Sequence, residues 1–457
     1  MSDKKGDPTK DIVWISDRCA ILTKAKSILV TESNTLFDEK NLNIIEDGEL
    51  RVAPWGIQNI LPQNVMDKIE RVEIIGTNSD FNARVCYGNG PKLARLMRDE
   101  NGKIRDWAEV TDGKEYEWFT ENNVPQLILE ILTDLSYFAN AFPLFVFDKD
   151  FTKIKRMLHR EAMFSRWGLD KNDQIKWLLY SSKWDKSPGG IPDKKDIEKS
   201  FVIDEFAAIN DIQTQMKAKA YKRVCMALYL PSPGRPYYSY PNWYSVFRSG
   251  WYDQISNIPE LKSAILEHNL GIRHLIYVSD KYYAYREAQA GIAADDLAGR
   301  IELKKKVTKE LNDWACGAEN QGKSMTVLKE MTGNGNTEEK YITVETIQDT
   351  IKEGEFLTDY ETVANIISYA MGVHPSLIGA VPGKNSNSLS GSNIREIYLM
   401  KQAQMRPFID LALRPFSIVK NINKWEKDIA VVMPEYIFTT LDQNKSGKQE
   451  STNTYAQ

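Results

Sequence analysis

The sequence predicts an α+β fold, with helices segregated from a meander of strands, and three observations predict it. Apolar residues recur at helical spacing over 124–138 and again over 344–371. Short β-like runs at 144–147, 154–158 and 175–180 are separated by charged or Gly/Asp turns. A strand, helix, strand succession over 275–328 stands between two helical stretches, which makes a small α/β unit inserted into a helical frame.

The elements follow in chain order. The first fifty residues mix short β-like runs, such as Ser27 to Thr31, with polar loops and define no element. Val52-Ala53-Pro54-Trp55-Gly56 leads to Leu61-Pro62-Gln63-Asn64, where prolines punctuate a loop before helical spacing begins at Val65. Ile69, Val72 and Ile75 share a face of a short helix. Phe81 to Tyr87 then runs into Gly88-Asn89-Gly90, a turn suited to positive φ.

Val124, Ile128, Ile131, Leu132, Leu135 and Phe138 predict a helix, with Asn122 or Asn123 as its N-cap. The three β-like runs follow it. The segment 183–199, charged and carrying Pro188-Gly189-Gly190, reads as a loop, and 224–230 as a further strand. Tyr237, Tyr238, Tyr240, Trp243 and Tyr244 open a new region. There Trp243, Phe247, Trp251, Ile255 and Ile258 fall every three or four residues, a helix that Pro259 interrupts or bends.

After Gly271 come a strand at 275–278, a charged helix at about 294–316 and a strand at 324–328. A second long helix runs from about Val344 to Met371, with Ile347, Ile351, Phe356, Tyr360, Val363, Ile367 and Met371 on its buried face. Gly372 supplies its left-handed C-cap. Pro375 to Asn393 is rich in Gly, Ser, Asn and Pro and reads as an exposed loop. A helix resumes near Ile394 and reaches about Asp410, with Pro407 kinking it or ending its first part; beyond Asn444 the tail is polar.

Composition narrows the function classes. The chain has 457 residues, more than one domain usually holds, and 42% are hydrophobic, enough for a sizeable core. Its 27% of charged residues and mean hydropathy of −0.45 are those of an ordinary soluble protein. The longest apolar runs, Phe142 to Phe147 and Ile429 to Met433, fall far short of the roughly 20 residues a membrane-spanning helix needs. Met1 to Lys10 is polar and lacks the apolar stretch of a secretory signal, so the protein is expected to act where it is made. Cys19, Cys86, Cys225 and Cys316 stand far apart and read as reduced thiols. A net charge of −4 argues against a broad phosphate-gripping surface.

The search for chemistry returns little. No GxxxxGK[ST] phosphate loop is present, and Gly333-Asn334-Gly335 reads as a turn. His159 and Glu161 alternate on a β-like segment and would share a face, a pattern open to a metal but read here as an ordinary histidine. Ser388-Leu389-Ser390-Gly391-Ser392 lacks the GxSxG frame of a nucleophile elbow. The sequence therefore predicts neither a catalytic site nor a cofactor.

Charge is more suggestive. Glu345, Asp349, Glu353, Glu355, Asp359 and Glu361 cluster on the helix predicted from Val344, against the single base Lys352. The ordinary reading is a solvated face, but repeated around an axis such a helix would line a channel that repels phosphates. Lys304, Lys305, Lys306 and Lys309 form a basic patch on the inserted unit, either a solvated face or a docking surface. Lys384 is the only charge of the long loop, placed to touch a passing phosphate.

Several stretches resemble the portal proteins of long-tailed bacteriophages. Met371-Gly372-Val373-His374-Pro375-Ser376-Leu377-Ile378-Gly379 is similar to the family's pattern of aromatic or Met, Gly, Val, Pro-Pro, two apolar residues and Gly, with His374 at the commoner first proline. Asn385-Ser386-Asn387-Ser388, Asn393-Ile394-Arg395-Glu396 and Met405-Arg406-Pro407-Phe408 resemble its Ser/Asn-rich loop and following helix. Leu135 to Phe142 looks like its Leu, aromatic, Gly-Asn-Ala-aromatic turn, with Ala139 where Gly is usual. The resemblance covers roughly 50 to 420, and its specificity lies in the order and spacing of the motifs.

The resemblance implies a portal fold: a wing over 1–238, stem helices over 239–270 and 345–373, a clip over 271–344, a tunnel loop over 374–394, and a wing-to-crown helix with a short crown and tail over 395–457. It implies a closed ring, usually a dodecamer, at one capsid vertex of the virion, assembled in the host cytoplasm. Double-stranded DNA would pass through it during packaging and ejection. Terminase, major capsid or scaffold proteins and a head-completion adaptor would be its partners, with no membrane. Lys384, Asn385, Ser386, Asn387, Ser388 and Ser390 would face DNA; Glu345, Asp349 and Glu353 would line the channel; Lys304, Lys305, Lys306 and Lys309 would dock partners. The rival expectations are a metal-dependent nuclease or transposase, whose carboxylates would converge from separate elements, and another structural protein of the virion.

Overall fold

A computed structural model describes residues 12–16, 19–22, 44–48, 50–203, 209–269, 274–293, 295–316, 329–332, 337–346, 355–379 and 391–434. Strands β1 (Ile12–Ser16) and β2 (Cys19–Leu22) pair antiparallel, and β3 (Ile45–Asp47) and β4 (Leu50–Val52) follow. Helices α1 (Leu61–Arg71) and α2 (Glu73–Tyr87) precede β5 (Lys92–Arg98), β6 (Ile104–Glu109), α3 (Gly113–Glu121) and α4 (Val124–Phe138). Next come β7 (Asn140–Phe147), β8 (Ile154–Arg160), β9 (Ser165–Leu169), β10 (Ile175–Tyr180), β11 (Glu198–Val202), α5 (Ile209–Lys219), β12 (Arg223–Cys225) and β13 (Leu228–Tyr229). After α6 (Ser245–Arg248) and α7 (Trp251–Asn269) the chain forms β14 (His274–Val278), α8 (Asp280–Gln289), α9 (Leu297–Cys316), β15 (Lys329–Thr332), β16 (Thr337–Lys340) and β17 (Ile342–Thr346). It closes with α10 (Glu355–Ala370), α11 (Gly391–Ile422) and β18 (Ile429–Val432). The α+β class read from the sequence is the class observed.

The chain divides into two compact units, one of residues 1–255 with 361–457 and one of residues 256–360. In the first, a nine-stranded sheet runs β13-β7-β12-β11-β10-β9-β4-β3, with β8 also on β7. β12 and β13 lie along β7 in one register, Arg223 opposite Val146 and Tyr229 opposite Asn140, and Met226 between them donates to the Pro143 carbonyl. β18, β5 and β6 make a separate three-stranded sheet.

The core grows from α4. Val124, Leu127, Ile128, Ile131, Leu132, Leu135 and Phe138 are all buried, at the spacing the sequence displayed. Packed with them are Ala141 and Phe145 of β7, Ala83 and Cys86 of α2, and Met405, Ile409, Ala412, Phe416 and Val419 of α11. α4 starts without the expected cap: Asn123 is left-handed (φ 45°) with no side-chain capping bond, and Pro125 sits in the first turn. Asn122 donates instead to the Trp118 carbonyl.

Other elements depart from expectation for local reasons. The prolines of 54–62 do not delay the first helix, because Pro62 occupies a first-turn position, where its missing N–H costs nothing. That helix breaks at Val72, which is extended, giving α1 and α2. β9 and β11 were not anticipated, nor were β5 and β6. The loop 183–199 is anchored by Trp184, which is fully buried and donates to the Phe164 carbonyl, and its end enters β11. Gly190 there has φ 73°, and any Cβ would fall 2.3 Å from the Gln58 carbonyl oxygen.

Arg166 of β9 holds this corner together. It is wholly buried; its guanidinium donates to the Asn59 carbonyl and side chain, to Gln63 and to the Met163 and Ser165 carbonyls, and it stands 5.5 Å from the Trp55 ring and 5.3 Å from that of Trp184. Burial pulls its pKa down to about 10, with only a small opposing pull from the field of Tyr238.

In the second unit β14 and β17 pair antiparallel, and so do β15 and β16. α8 and α9 are joined by Arg286 to Glu310 at 3.2 Å and Arg300 to Glu287 at 3.0 Å. Val307, Leu311 and Tyr341 are its buried apolar residues among those described. The predicted strand at 275–278 and charged helix at 294–316 correspond to β14 and α9, whereas the strand expected at 324–328 lies outside the described residues. The aromatic stretch before this unit is interrupted earlier than Pro259, at Gly250 (φ 79°), and Pro259 lies within α7.

Candidate functional site

Of the stretches that carry the resemblance, Met371 to Gly379 follows the end of α10, in the first unit. α10 closes in a two-bond Schellman motif: the Gly372 amide donates to the Tyr369 carbonyl at 3.0 Å and the Val373 amide to the Ser368 carbonyl at 2.9 Å. Gly372 has φ 63°, the left-handed conformation anticipated for it. Met371 and Val373 are buried on either side. His374 then accepts the Ser376 amide on Nδ1 and caps a single 3-10 turn, Pro375 to Leu377, which the sequence presented only as loop.

This corner is fastened by polar groups. From α2, Asn78 donates to Ser368 Oγ at 3.2 Å and Asn82 to the Met371 carbonyl at 3.3 Å. From α11, Lys401 Nζ donates to the Gly372 carbonyl at 2.9 Å. α2 is tied in turn to α4, through Ser136 Oγ on the Ser79 carbonyl and Tyr137 on Asp80, both at 2.8 Å. Lys401 is 5% exposed, and burial lowers its pKa to about 8, with Cys86 raising it slightly. Burial pushes the Cys86 thiol itself up to about 12, so it stays protonated at neutral pH.

The DNA-facing residues expected on the loop, Lys384, Asn385, Ser386, Asn387, Ser388 and Ser390, lie outside the described residues. So do Asp349 and Glu353. Glu345 is described, and it is not on the expected helix. It belongs to strand β17, opposite Leu275, not to a helix beginning at Val344. Val344 and Thr346 flank it in a β-branched run that pairs readily in a sheet, and helix α10 starts only at Glu355.

Lys304, Lys305, Lys306 and Lys309 are on α9 as anticipated, and all four are exposed. Lys304 sits 5.0 Å from the Tyr283 ring. Leu297 and Ile301, two turns and one turn before them on the same helix, are exposed as well. That combination was not read from the sequence, although the i, i+4 spacing displays it.

His159 pairs with a carboxylate through Nε2, while its Nδ1 meets no partner among the described residues. Its Nε2 lies 2.6 Å from Asp134 of α4, which no spacing in the chain links to it, and Asp134 also accepts the Ala162 amide at 2.7 Å. Glu161 falls past the end of β8, at the start of a 3-10 turn. Cys86 and Cys225 are buried free thiols, as expected. Among the described residues no three His, Cys, Asp or Glu side chains converge, and no helix is long and apolar enough to cross a membrane.

No family model matches the chain, and no curated protein matches it. Solved structures similar to it include the neck of an empty gene transfer agent particle computed with C6 symmetry, with 13% identity over 84% of this chain and 86% of that one and a TM-score of 0.47. A chain of the virion of the native particle has 11% identity over 88% of each chain, also at 0.47. One from the native neck computed with C12 symmetry has 12% identity over 81% and 83%, again at 0.47. At this distance nothing those particles do is carried over to this chain.

Proposed function

We propose that the protein is a portal-type subunit of a phage-like virion, which closes into a ring through which double-stranded DNA passes. The observation that carries this reading is the order of parts: helix α7, a separate α/β unit, helix α10, the Met371–Gly379 corner, then the long helix α11. On this reading α7 and α10 are stem helices, β14 to β17 with α8 and α9 form the clip, and the segment 374–394 is the tunnel loop, with the wing and crown in the remainder. Lys384, Asn385, Ser386, Asn387, Ser388 and Ser390 face DNA, and Asp349 and Glu353 line the channel. Lys304, Lys305, Lys306 and Lys309 on exposed α9 offer terminase or a head-completion adaptor a basic surface. The ring sits at a capsid vertex, against capsid or scaffold proteins, after assembly in the host cytoplasm. The subunit has no catalytic role of its own, and hydrolysis of ATP belongs to the terminase.

Negative-stain images of the purified chain test this: end-on views with a central hole support it, and single globular particles oppose it. In a phage carrying the gene, deleting 384–392 should leave such rings intact while DNA packaging or retention fails. Loss of the rings would remove the tunnel-loop assignment. Divalent-metal-dependent cleavage of DNA by the purified protein would favour the nuclease reading instead.

A further inference from the structure

The corner between α2, α10 and α11 contains a charge that the fold does not neutralise. An ammonium has three N–H donors. At Lys401 one finds the Gly372 carbonyl, and among the described residues no carboxylate pairs with it. Two further polar groups of the same seam go unmet: Asn78 Oδ1 and Asn82 Oδ1, both on buried α2 side chains, have no hydrogen-bond partner among the described residues. Unmet atoms occur elsewhere in this unit too, at Ser79 Oγ, Glu115 Oε1 and His159 Nδ1, but none of them belongs to an ammonium. The buried Arg166, by contrast, meets five acceptor atoms.

A buried cation without a counter-ion opposes the arrangement that buries it. We infer that Lys401 is a built-in spring: its ammonium favours opening of the α10 end away from α2 and α11, so that this corner yields before the rest of the unit. The inference concerns the single chain and does not depend on the ring.

The groups on the surrounding elements leave Lys401 in control of the effect. On α2, Cys86 faces it as a neutral thiol, and Asp80 and Arg84 pair with each other at the surface. On α10, Tyr369 is 87% exposed and points away. His374 uses Nδ1 on the Ser376 amide. On α11 itself, Glu396 is exposed, Arg406 and Asp410 form an ion pair, and Gln404 is uncharged.

The pH dependence has a definite sign. In the closed corner Lys401 loses its proton at about 8, whereas in an opened, solvated corner it would keep it up to its ordinary 10.5. The open form therefore binds more protons between those values, and closure strengthens as pH rises through that window. Below it the ammonium is charged in both forms and the opening tendency is constant.

Hydrogen exchange on the full chain tests this at the amides of 368–373. After correction for the intrinsic rate, wild-type exchange there should slow by about tenfold between pH 7 and pH 9.5, while amides of α4 show no such change. Lys401→Met, nearly isosteric and uncharged, should already exchange slowly at pH 7 and show no pH dependence. Lys401→Arg, charged throughout, should stay fast at both. Wild-type exchange that does not slow would overturn the inference. So would a Lys401→Met protein that opens more readily than wild type or fails to fold, because the ammonium would then be holding the corner shut.

Discussion

Gly372 and Ala139 occupy equivalent places in the chain, each in left-handed conformation where a helix stops. Gly372 has φ 63° and Ala139 φ 57°. An L-residue costs about 1–2 kcal/mol in that conformation, so Ala139 persists because α4 and β7 on either side are fixed by burial. Gly372 has no such cost. Gly372→Ala should lower stability by about 1 kcal/mol, measured by urea denaturation, without a steric clash, since the new Cβ would lie 3.6 Å from Lys401 Nζ. Arg166 shows the opposite economy, a costly charge kept because every donor is used. Arg166→Ala would take a donor from the Asn59 carbonyl and from Gln63 Oε1 and leave a cavity, and should cost about 3 kcal/mol or more, seen as a lower unfolding midpoint. The sequence revealed Gly372, since a glycine after a periodic apolar run has one ordinary meaning. It concealed Arg166, because its partners Asn59 and Gln63 lie more than a hundred positions away. The pairing of Lys401 with Gly372 spans only 29 positions, yet no spacing rule links a lysine inside a helix to a carbonyl at the end of another.

Among the elements, α4 was legible residue by residue, because Val124, Leu127, Ile128, Ile131, Leu132 and Leu135 all enter one core. α11 was legible in principle but was expected to be too short. Pro407 and Pro415 both lie inside it, and a proline inside a helix normally costs an internal hydrogen bond. Yet Met405, Ile409, Ala412, Phe416, Val419 and Ile422 continue the helical spacing and are all buried, so packing outweighs the local penalty. At β17 the reverse happened: an acidic pattern of helical period was followed too far upstream, into a β-branched run that pairs with β14. α10 offers the sharpest test at this scale. Ile367 is fully buried, and Ile367→Asp would place an unpaired carboxylate there. A loss of at least about 3 kcal/mol is expected, with little soluble protein recovered; a stable variant would mean that this face of α10 is not a core face.

At the scale of the whole molecule, the division into a larger unit interrupted by a smaller one follows from chain order: 256–360 leaves and returns through two helices. That nesting was readable as a change of pattern after Gly271, although α8 and the pair β15 and β16 within it were not. Among its described residues the smaller unit exposes Leu297, Ile301, Tyr277 and Tyr285 along with its lysines. A head-to-tail ring, in which each copy supplies two different faces, is the assembly that would use them. Ring assembly is a matter of copy number, which native mass spectrometry of the purified chain reads. One dominant species at a large integer multiple of the 52.3 kDa subunit, near twelve, is expected. A spectrum holding only the single subunit, unchanged as concentration is raised, would contradict it.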